Sequence, residues 1–354
     1  MKFGNFMFSE SRDPARDTAV IDEVIREAQL CDELGMDALW LAEHHFSGTC
    51  VFADPAAMAA ALAVATKRIT IGFAVAQMSL VHPIRFAEQM ALVDNLSKGR
   101  LIVGMGRGTG YGVHEYDGYG IPQAEAQARM DEVEEVMLKA WSGEPFQHRG
   151  QFWSLDVAPV RPAVYTKPHP PTIRGAHTEH TTLALARAGK PFLMNVQSVD
   201  GTRRRMELYR QAMREAGVDD EKIARNVSNC WTQRNVYVAE TDAEAERVGT
   251  AMWHAMYGYR NEVQQHYQKL KGVNIQSPKG QSARMDIEHS LICGSPATVA
   301  EKLARHDAAG IGGVMMTFKM GPMPYEQAAE SITLFMTKVA PEVAKAARRQ
   351  PAAV

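Results

Sequence analysis

Ala38-Leu39-Trp40-Leu41-Ala42-Glu43-His44-His45-Phe46 is the stretch whose reading decides the fold. An apolar run opens it, followed directly by an acid, two adjacent histidines and an aromatic ring. A run this short reads as a buried strand, because a helix needs about ten residues or more. The acid and the histidines then fall at the C-terminal end of that strand, where α/β folds place their chemistry. In an extended chain His44 and His45 point to opposite sides, so one of them faces a site. A structural histidine paired with Glu43 is the plainer alternative.

Outward from this strand the same order repeats. On the N-terminal side a strand over residues 2–8 precedes a helix over 18–34, whose Val20, Ile21, Val24, Ile25 and Ala28 keep helical spacing and which Gly35 ends. On the C-terminal side Asp54 caps, and Pro55 opens, an alanine-rich helix over 56–66. A strand over 68–75, a helix after His82-Pro83 and a strand over 100–103 follow. Further strands over 172–175, 192–194, 229–239 and 313–317 alternate with helices over 125–141, 178–188, 200–216, from 241 onward, over 297–309 and over 325–339. In the first half the units recur at about 30 residues, the length of a strand–helix–strand crossover. Such an order predicts parallel strands with right-handed connections. Eight strands, each followed by a helix, favour a closed (β/α)8 TIM barrel over an open doubly wound sheet. No break in composition marks a second domain, so residues 1–354 read as one barrel domain. Excursions at about 105–124, 144–171 and 255–291 read as extended loops over its C-terminal, active-site face.

Composition narrows the function classes. The chain has 354 residues, 45% hydrophobic and 23% charged, with a net charge of -2. That is enough for a full core, and the near-neutral balance argues against nucleic acid or an anionic membrane as partner. No apolar run reaches membrane length, and Met1-Lys2-Phe3-Gly4-Asn5 lacks the basic-then-apolar layout of a signal peptide. Cys31, Cys50, Cys230 and Cys293 show no CxxC spacing, so neither a disulfide framework nor a zinc knuckle is implied. A cytoplasmic location is expected.

Two further constellations carry chemistry. Gly104-Met105-Gly106-Arg107-Gly108-Thr109-Gly110 invites a dinucleotide reading, but it follows the fourth strand rather than the first and does not open a helix. A glycine-lined strand end that lets a flat ligand approach the backbone fits better, with Arg107 as a phosphate-binding candidate. Arg174-Gly175-Ala176-His177-Thr178-Glu179-His180-Thr181-Thr182 is a strand end feeding a helix with hydroxyls in its first turn. Exposed N–H groups, the helix dipole and threonine hydroxyls make a phosphate cup, while simple N-capping by Thr178 is equally expected. None of the histidine and acid spacings reproduces HxH or HExxH, so no metal site is assigned, and a metal-dependent hydrolase is a minority reading.

In combination and in order, several stretches resemble the bacterial luciferase-like flavin monooxygenases. They are residues 41–46, the run 68–75, His82-Pro83-Ile84-Arg85-Phe86-Ala87-Glu88, residues 96–108, 178–191 and 294–313. The resemblance implies a (β/α)8 barrel that uses reduced FMN, supplied by a separate flavin reductase, and O2 as co-substrate. It implies oxygenation of a small organic molecule through a C4a-(hydro)peroxyflavin. His44 matches the catalytic histidine. Phe73, Ala74 and Val75 match a non-proline cis peptide packed on the flavin ring. Arg107 and Arg129 match basic residues at the flavin phosphate, and Thr178 and Thr181 match hydroxyls of its cup.

Two departures stand out. Gly106 replaces a reactive cysteine, and His177 replaces a glutamate and is a candidate for adding positive charge beside the phosphate. Both argue against light emission, and neither argues against flavin binding. Phe8, Met78, Met194 and Phe318, at or just past strand ends, are substrate-pocket candidates, with core packing as the alternative. Lys269-Leu270-Lys271-Gly272 is a candidate lid. The alanines of residues 55–66 suit close helix pairing, and the resemblance implies a homodimer through this region. An F420-dependent oxidoreductase of the same fold and a non-catalytic flavin-binding subunit are the rival readings. Glu43-His44-His45-Phe46 favours the monooxygenase over the first, and His44 with Arg107 favours it over the second.

Overall fold

The computed structural model describes residues 1–110, 112–272 and 282–349. Eight parallel strands close into a ring: β1 (Lys2–Met7), β2 (Ala38–Leu41), β3 (Thr70–Phe73), β4 (Leu101–Gly106), β5 (Thr172–Ala176), β6 (Phe192–Met194), β7 (Trp231–Val238) and β8 (Gly313–Thr317). Each pairs with the next, and β8 pairs back to β1 with Lys2 opposite Gly313. This is the (β/α)8 TIM barrel expected from the alternation of elements. All eight expected strands are present, with ends shifted by a few residues.

The barrel interior is closed by two indoles. Trp40 of β2 and Trp231 of β7 meet edge to face with centroids 5.2 Å apart, and both are buried. Neighbouring strands make room for them. A Cβ on Gly4 of β1 would stand 2.8 Å from the Trp40 ring, one on Gly72 of β3 2.6 Å from it, and one on Gly313 of β8 2.4 Å from Trp231. Large and small side chains therefore alternate around the ring, which is how a small barrel fills its centre.

The helices form as their sequences dictate. Pro55–Ala65 begins with Pro55 at its first position, and the Asp54 carboxylate accepts from the Ala56 and Ala57 N–H groups. No helix among the described residues is long and apolar enough to cross a membrane.

The three excursions hold more structure than expected. Residues 105–124 contain a helix, Val113–Gly118. Residues 144–171 contain a hairpin, Phe146–Arg149 with Ser154–Val157. Its turn is held by Glu132, which accepts from His148 Nε2 and from the N–H groups of Gln151, Phe152 and Trp153. The largest correction concerns residues 255–291. The helix that starts after Thr241 runs unbroken over Asp242–Lys271 and ends at Gly272, whose φ is 61°. Its second half lacks an apolar stripe because it leaves the barrel wall and docks on the helix Val113–Gly118. There Tyr267 stacks on His114 at 4.0 Å and donates to the Phe46 carbonyl, while Lys271 pairs with Asp117 at 3.0 Å. The expected lid residues 269–272 are thus the last turn and cap of a helix, and 273–281 lie outside the described residues. The same excursion holds a strand the sequence did not announce, Leu291–Gly294, paired to the C-terminal half of β7.

The indole plug makes a direct prediction. Trp40→Ala is expected to lower the unfolding free energy by about 3–5 kcal/mol. Gly72→Ala should cost about 1–3 kcal/mol, because a buried, rigid ring stands where the new methyl must go. Urea titration followed by far-UV circular dichroism measures both; an unchanged midpoint for either variant would contradict the packing described.

Candidate active site

The loop after β2 delivers the two histidines to different tasks. His44 Nδ1–H donates to Glu115 Oε1 at 3.1 Å, its ring lies 6.1 Å from and nearly parallel to Phe8, and its side chain is 25% exposed. His45 Nε2–H donates to Glu43 Oε1 at 2.8 Å, both residues being buried, and its Nδ1 accepts from the exposed Tyr119 at 3.3 Å. His45 takes the structural pairing with Glu43, and His44 faces a cavity.

Glu115 was not singled out in the sequence. It sits in the helix Val113–Gly118, 71 positions from His44, and no spacing links the two. Besides His44, Glu115 accepts from the His45 backbone N–H at 2.9 Å and from Gln77 Nε2 at 3.1 Å. Gln77 also ties in Glu43: its backbone N–H donates to Glu43 Oε2 at 2.7 Å and its Nε2 to the Glu43 carbonyl at 3.2 Å. Three loops, after β2, β3 and β4, are thereby locked together. Burial by itself would push the Glu115 carboxyl up, but the charge and hydrogen bond of His44, with the donations from His45 and Gln77, hold it below its ordinary value. For His45, burial pushes down, and the hydrogen bond and charge of Glu43 outweigh it, so the net shift is upward. A carboxylate on Nδ1 fixes the His44 tautomer and leaves Nε2 as the nitrogen that Glu115 does not engage.

The cavity beside His44 is walled by Ser47, Thr49, Thr109 and His114 on one side and by Tyr257, Arg260 and Gln264 of the long helix on the other. The peptide Ala74–Val75 is cis, just past Phe73 at the end of β3. Val75 explains the absence of a side chain at Gly106, since a Cβ there would stand 2.3 Å from Val75 Cγ2.

At the end of β5, Thr178 caps the nine-residue helix Glu179–Arg187. Its Oγ1 accepts from the Thr181 N–H at 3.1 Å and lies 3.0 Å from Thr181 Oγ1, so two hydroxyls sit side by side at a helix N-terminus. The Arg107 backbone is clamped nearby, its carbonyl accepting from Ser79 Oγ at 2.8 Å and from the Tyr116 hydroxyl. His177 is solvent-accessible yet crowded by protein; that crowding first, then the charges of Arg284, Arg107 and Arg205, push its pKa down. The positive charge there comes from guanidiniums, not from His177 as expected. Arg205, on the helix Val199–Glu215, is another residue the sequence did not flag; it donates to Thr182 Oγ1 at 3.1 Å. This field and the paired hydroxyls suit a phosphate monoester.

Several expected residues take other places. Arg129 pairs with Glu125 at 2.8 Å and lies 4.4 Å over the Phe152 ring. Arg174 turns to Glu134 and Asp131 of the helix Ala126–Ala140. Of the four pocket candidates, Met78, Met194 and Phe318 are enclosed in apolar cores and do not line the cavity. Their strand ends turn inward to packing rather than outward to solvent. Phe8 alone reaches the site, through His44 and through Arg260, whose guanidinium lies 4.2 Å over its ring.

Comparison with known proteins gives a match to the luciferase-like monooxygenase model over residues 1–312. The chain belongs to the luciferase-like monooxygenase family. Among members of this family it is similar to the alkanal monooxygenase alpha chain of Photorhabdus laumondii subsp. laumondii, 26% identical over 360 residues that span 96% of this chain and 97% of the other. The oxygenase component of a flavin-dependent trigonelline monooxygenase from Acinetobacter baylyi is 30% identical over 172 residues, 48% of each chain. The crystal structure of monooxygenase RslO1 from Streptomyces bottropensis superposes with a TM-score of 0.80 at 26% identity, covering 96% of this chain and 99% of that one. In this luciferase-like barrel the candidate residues described above lie past the C-terminal ends of the strands, the face that carries the active site in α/β barrels generally.

The Glu115 environment sets a pH test. A carboxyl held below its ordinary 4.5 contributes stability that is complete above that value and is lost as pH falls through the lower folded value. Glu115→Gln is expected to cost about 1–3 kcal/mol near neutral pH. The gap between wild type and variant should narrow once pH drops below 4.5. Urea unfolding at neutral and acid pH measures it, and a gap that does not change with pH would refute the ionised dyad.

Proposed function

We propose that the chain is the oxygenase of a two-component monooxygenase that uses reduced FMN and O2 to oxygenate a small organic molecule. The observation that carries this reading is the meeting, at one end of the barrel, of the His44–Glu115 dyad with the paired hydroxyls of Thr178 and Thr181 beside Arg107. Reduced FMN, when bound, supplies the oxygen-activating chemistry. The chain's own residues do the rest. Thr178, Thr181 and Arg107, helped by Arg205, hold the phosphate at the helix N-terminus. Phe73 and the cis Ala74–Val75 peptide present a backbone surface for a flat ring. Glu115 keeps the proton of His44 on Nδ1, so that Nε2 handles the proton exchanged at the reacting end of the cavity. The long helix over the cavity, docked on Val113–Gly118, shields it from water.

A reductase that delivers the flavin is part of the same proposal, supported by the relative described as an oxygenase component. A homodimer is proposed through the helices Pro55–Ala65 and Pro83–Ser97, where Val64 and Leu92 stand exposed. Cys31, Cys50, Cys230 and Cys293 are all unbridged, in keeping with a reducing cytoplasm.

Anaerobic titration with reduced FMN and, separately, with F420 tests the cofactor. Arg107→Ala is expected to weaken reduced FMN by about 10- to 100-fold, the worth of a charged hydrogen-bonding group. His44→Ala should bind it within about threefold, since a dyad engaged only with the reacting end adds little ground-state affinity. When oxygen is admitted, hydrogen peroxide should escape sooner from His44→Ala than from wild type. Binding of F420 without FMN would replace this reading by the deazaflavin one.

A further inference from the structure

The cavity beside His44 is electrostatically one-sided. Two guanidiniums border it, Arg260 of the helix Asp242–Lys271 and Arg284 of Ser282–Met285, against a single carboxylate, Glu115. Glu115 already accepts from His44, the His45 backbone and Gln77, so its charge is turned away from the opposite wall. Arg260 is built into place rather than trailing in solvent. Its guanidinium lies flat over the Phe8 ring at 4.2 Å, and its Nε stands 3.9 Å from Glu10 Oε2, a carboxylate that is buried, shared with Arg12 at 3.6 Å, and not part of the cavity wall. Phe8 in turn stacks toward His44, so Arg260 and His44 are held over the same ring.

The remaining wall carries no compensating negative charge. Asn261, Gln264, Ser47, Thr49 and Thr109 are neutral, and His114, stacked on Tyr267, is pushed down first by burial and so stays neutral. Tyr257 lies in the field of the same two guanidiniums. Burial would push its phenol up, yet the charges of Arg284 and Arg260 bring it below its ordinary value. The cavity measures about 190 Å3, smaller than the roughly 300 Å3 at which pockets for drug-sized ligands begin.

We propose that the organic substrate is a small carboxylic acid, gripped as its carboxylate by Arg260, which thereby orients the carbon to be oxygenated toward His44. A planar guanidinium held by an aromatic face matches a carboxylate with two parallel, charge-assisted hydrogen bonds, which a neutral isostere can return only in weaker form. Arg284, whose charge also reaches His177, stands between this cavity and the phosphate region and serves both. The proposal rests on the monooxygenase reading for the role of the bound acid, but the binding itself needs no flavin.

Isothermal titration of the flavin-free protein with benzoate and hexanoate, each beside its amide, tests it. Wild type is expected to bind at least one acid at least about tenfold more tightly than the matching amide. Arg260→Gln should remove at least about tenfold of acid affinity, Arg260→Lys should fall between the two, and neither should change amide binding. Titration of the same variants with FMN, and with inorganic phosphate, separates the sources of negative charge and checks that they fold. Equal binding of acid and amide, no binding of either acid, or acid affinity unchanged in Arg260→Gln overturns the proposal. So does a parallel loss of FMN or phosphate affinity in Arg260→Gln, which would assign Arg260 to the flavin phosphate. Absent FMN binding with acid binding intact would sink the flavin reading and leave this one standing.

Discussion

The edge-to-face contact of Trp40 with Trp231 sets the dimensions of everything around it. Two indoles facing each other across a closed ring fill a volume that aliphatic side chains would share among several strands. The strands between and beside them, β1, β3 and β8, can then offer only glycine at Gly4, Gly313 and Gly72. This complementarity pins the register of β2 against β1 and β3, with Trp40 opposite Phe6 and Gly72. A one-residue slip would turn the indole out of the barrel. Because the register is pinned, the residue that leaves the top of β2 is also pinned, and His44 emerges where the site is.

Above the barrel the controlling element is a hydrogen-bond network rather than packing. Gln77 touches both carboxylates, Glu43 and Glu115, and through them both histidines. Its buried position raises the stakes, since an unsatisfied donor there would cost more than any single bond is worth. The network gives two adjacent histidines opposite characters. His45 is charged more readily than a free imidazole and belongs to the scaffold; His44 keeps one nitrogen committed and one available.

A chain with a net charge of -2 still presents a positive mouth. Arg107, Arg205 and Arg284 act together on His177, and Arg260 with Arg284 acts on Tyr257. Charge that cancels over the whole molecule does not cancel within the mouth, where Debye screening is weakest and the walls are of low dielectric. The field at this end of the barrel is thus positive, whatever the net charge of the whole chain.

The sequence by itself determined the barrel, because most strands are short runs rich in apolar residues, most helices have local start and stop signals, and these are local properties of neighbouring residues. It also singled out His44, Arg107 and the threonine pair, because strand ends and helix caps have local signatures, whereas the Ala74–Val75 step was pointed to only by the family resemblance. It did not reveal Glu115 or Arg260, the Arg129–Glu125 pair, or that Met78, Met194 and Phe318 are enclosed in apolar cores. The polar second half of the helix Asp242–Lys271 read as a loop, since its partner is another excursion rather than the barrel. Only the tertiary structure decided these, for one physical reason. A hydrogen bond across 71 positions, or a guanidinium lying over a ring 252 positions away, depends on where closed strands bring their loops, and no periodicity in the chain encodes that meeting.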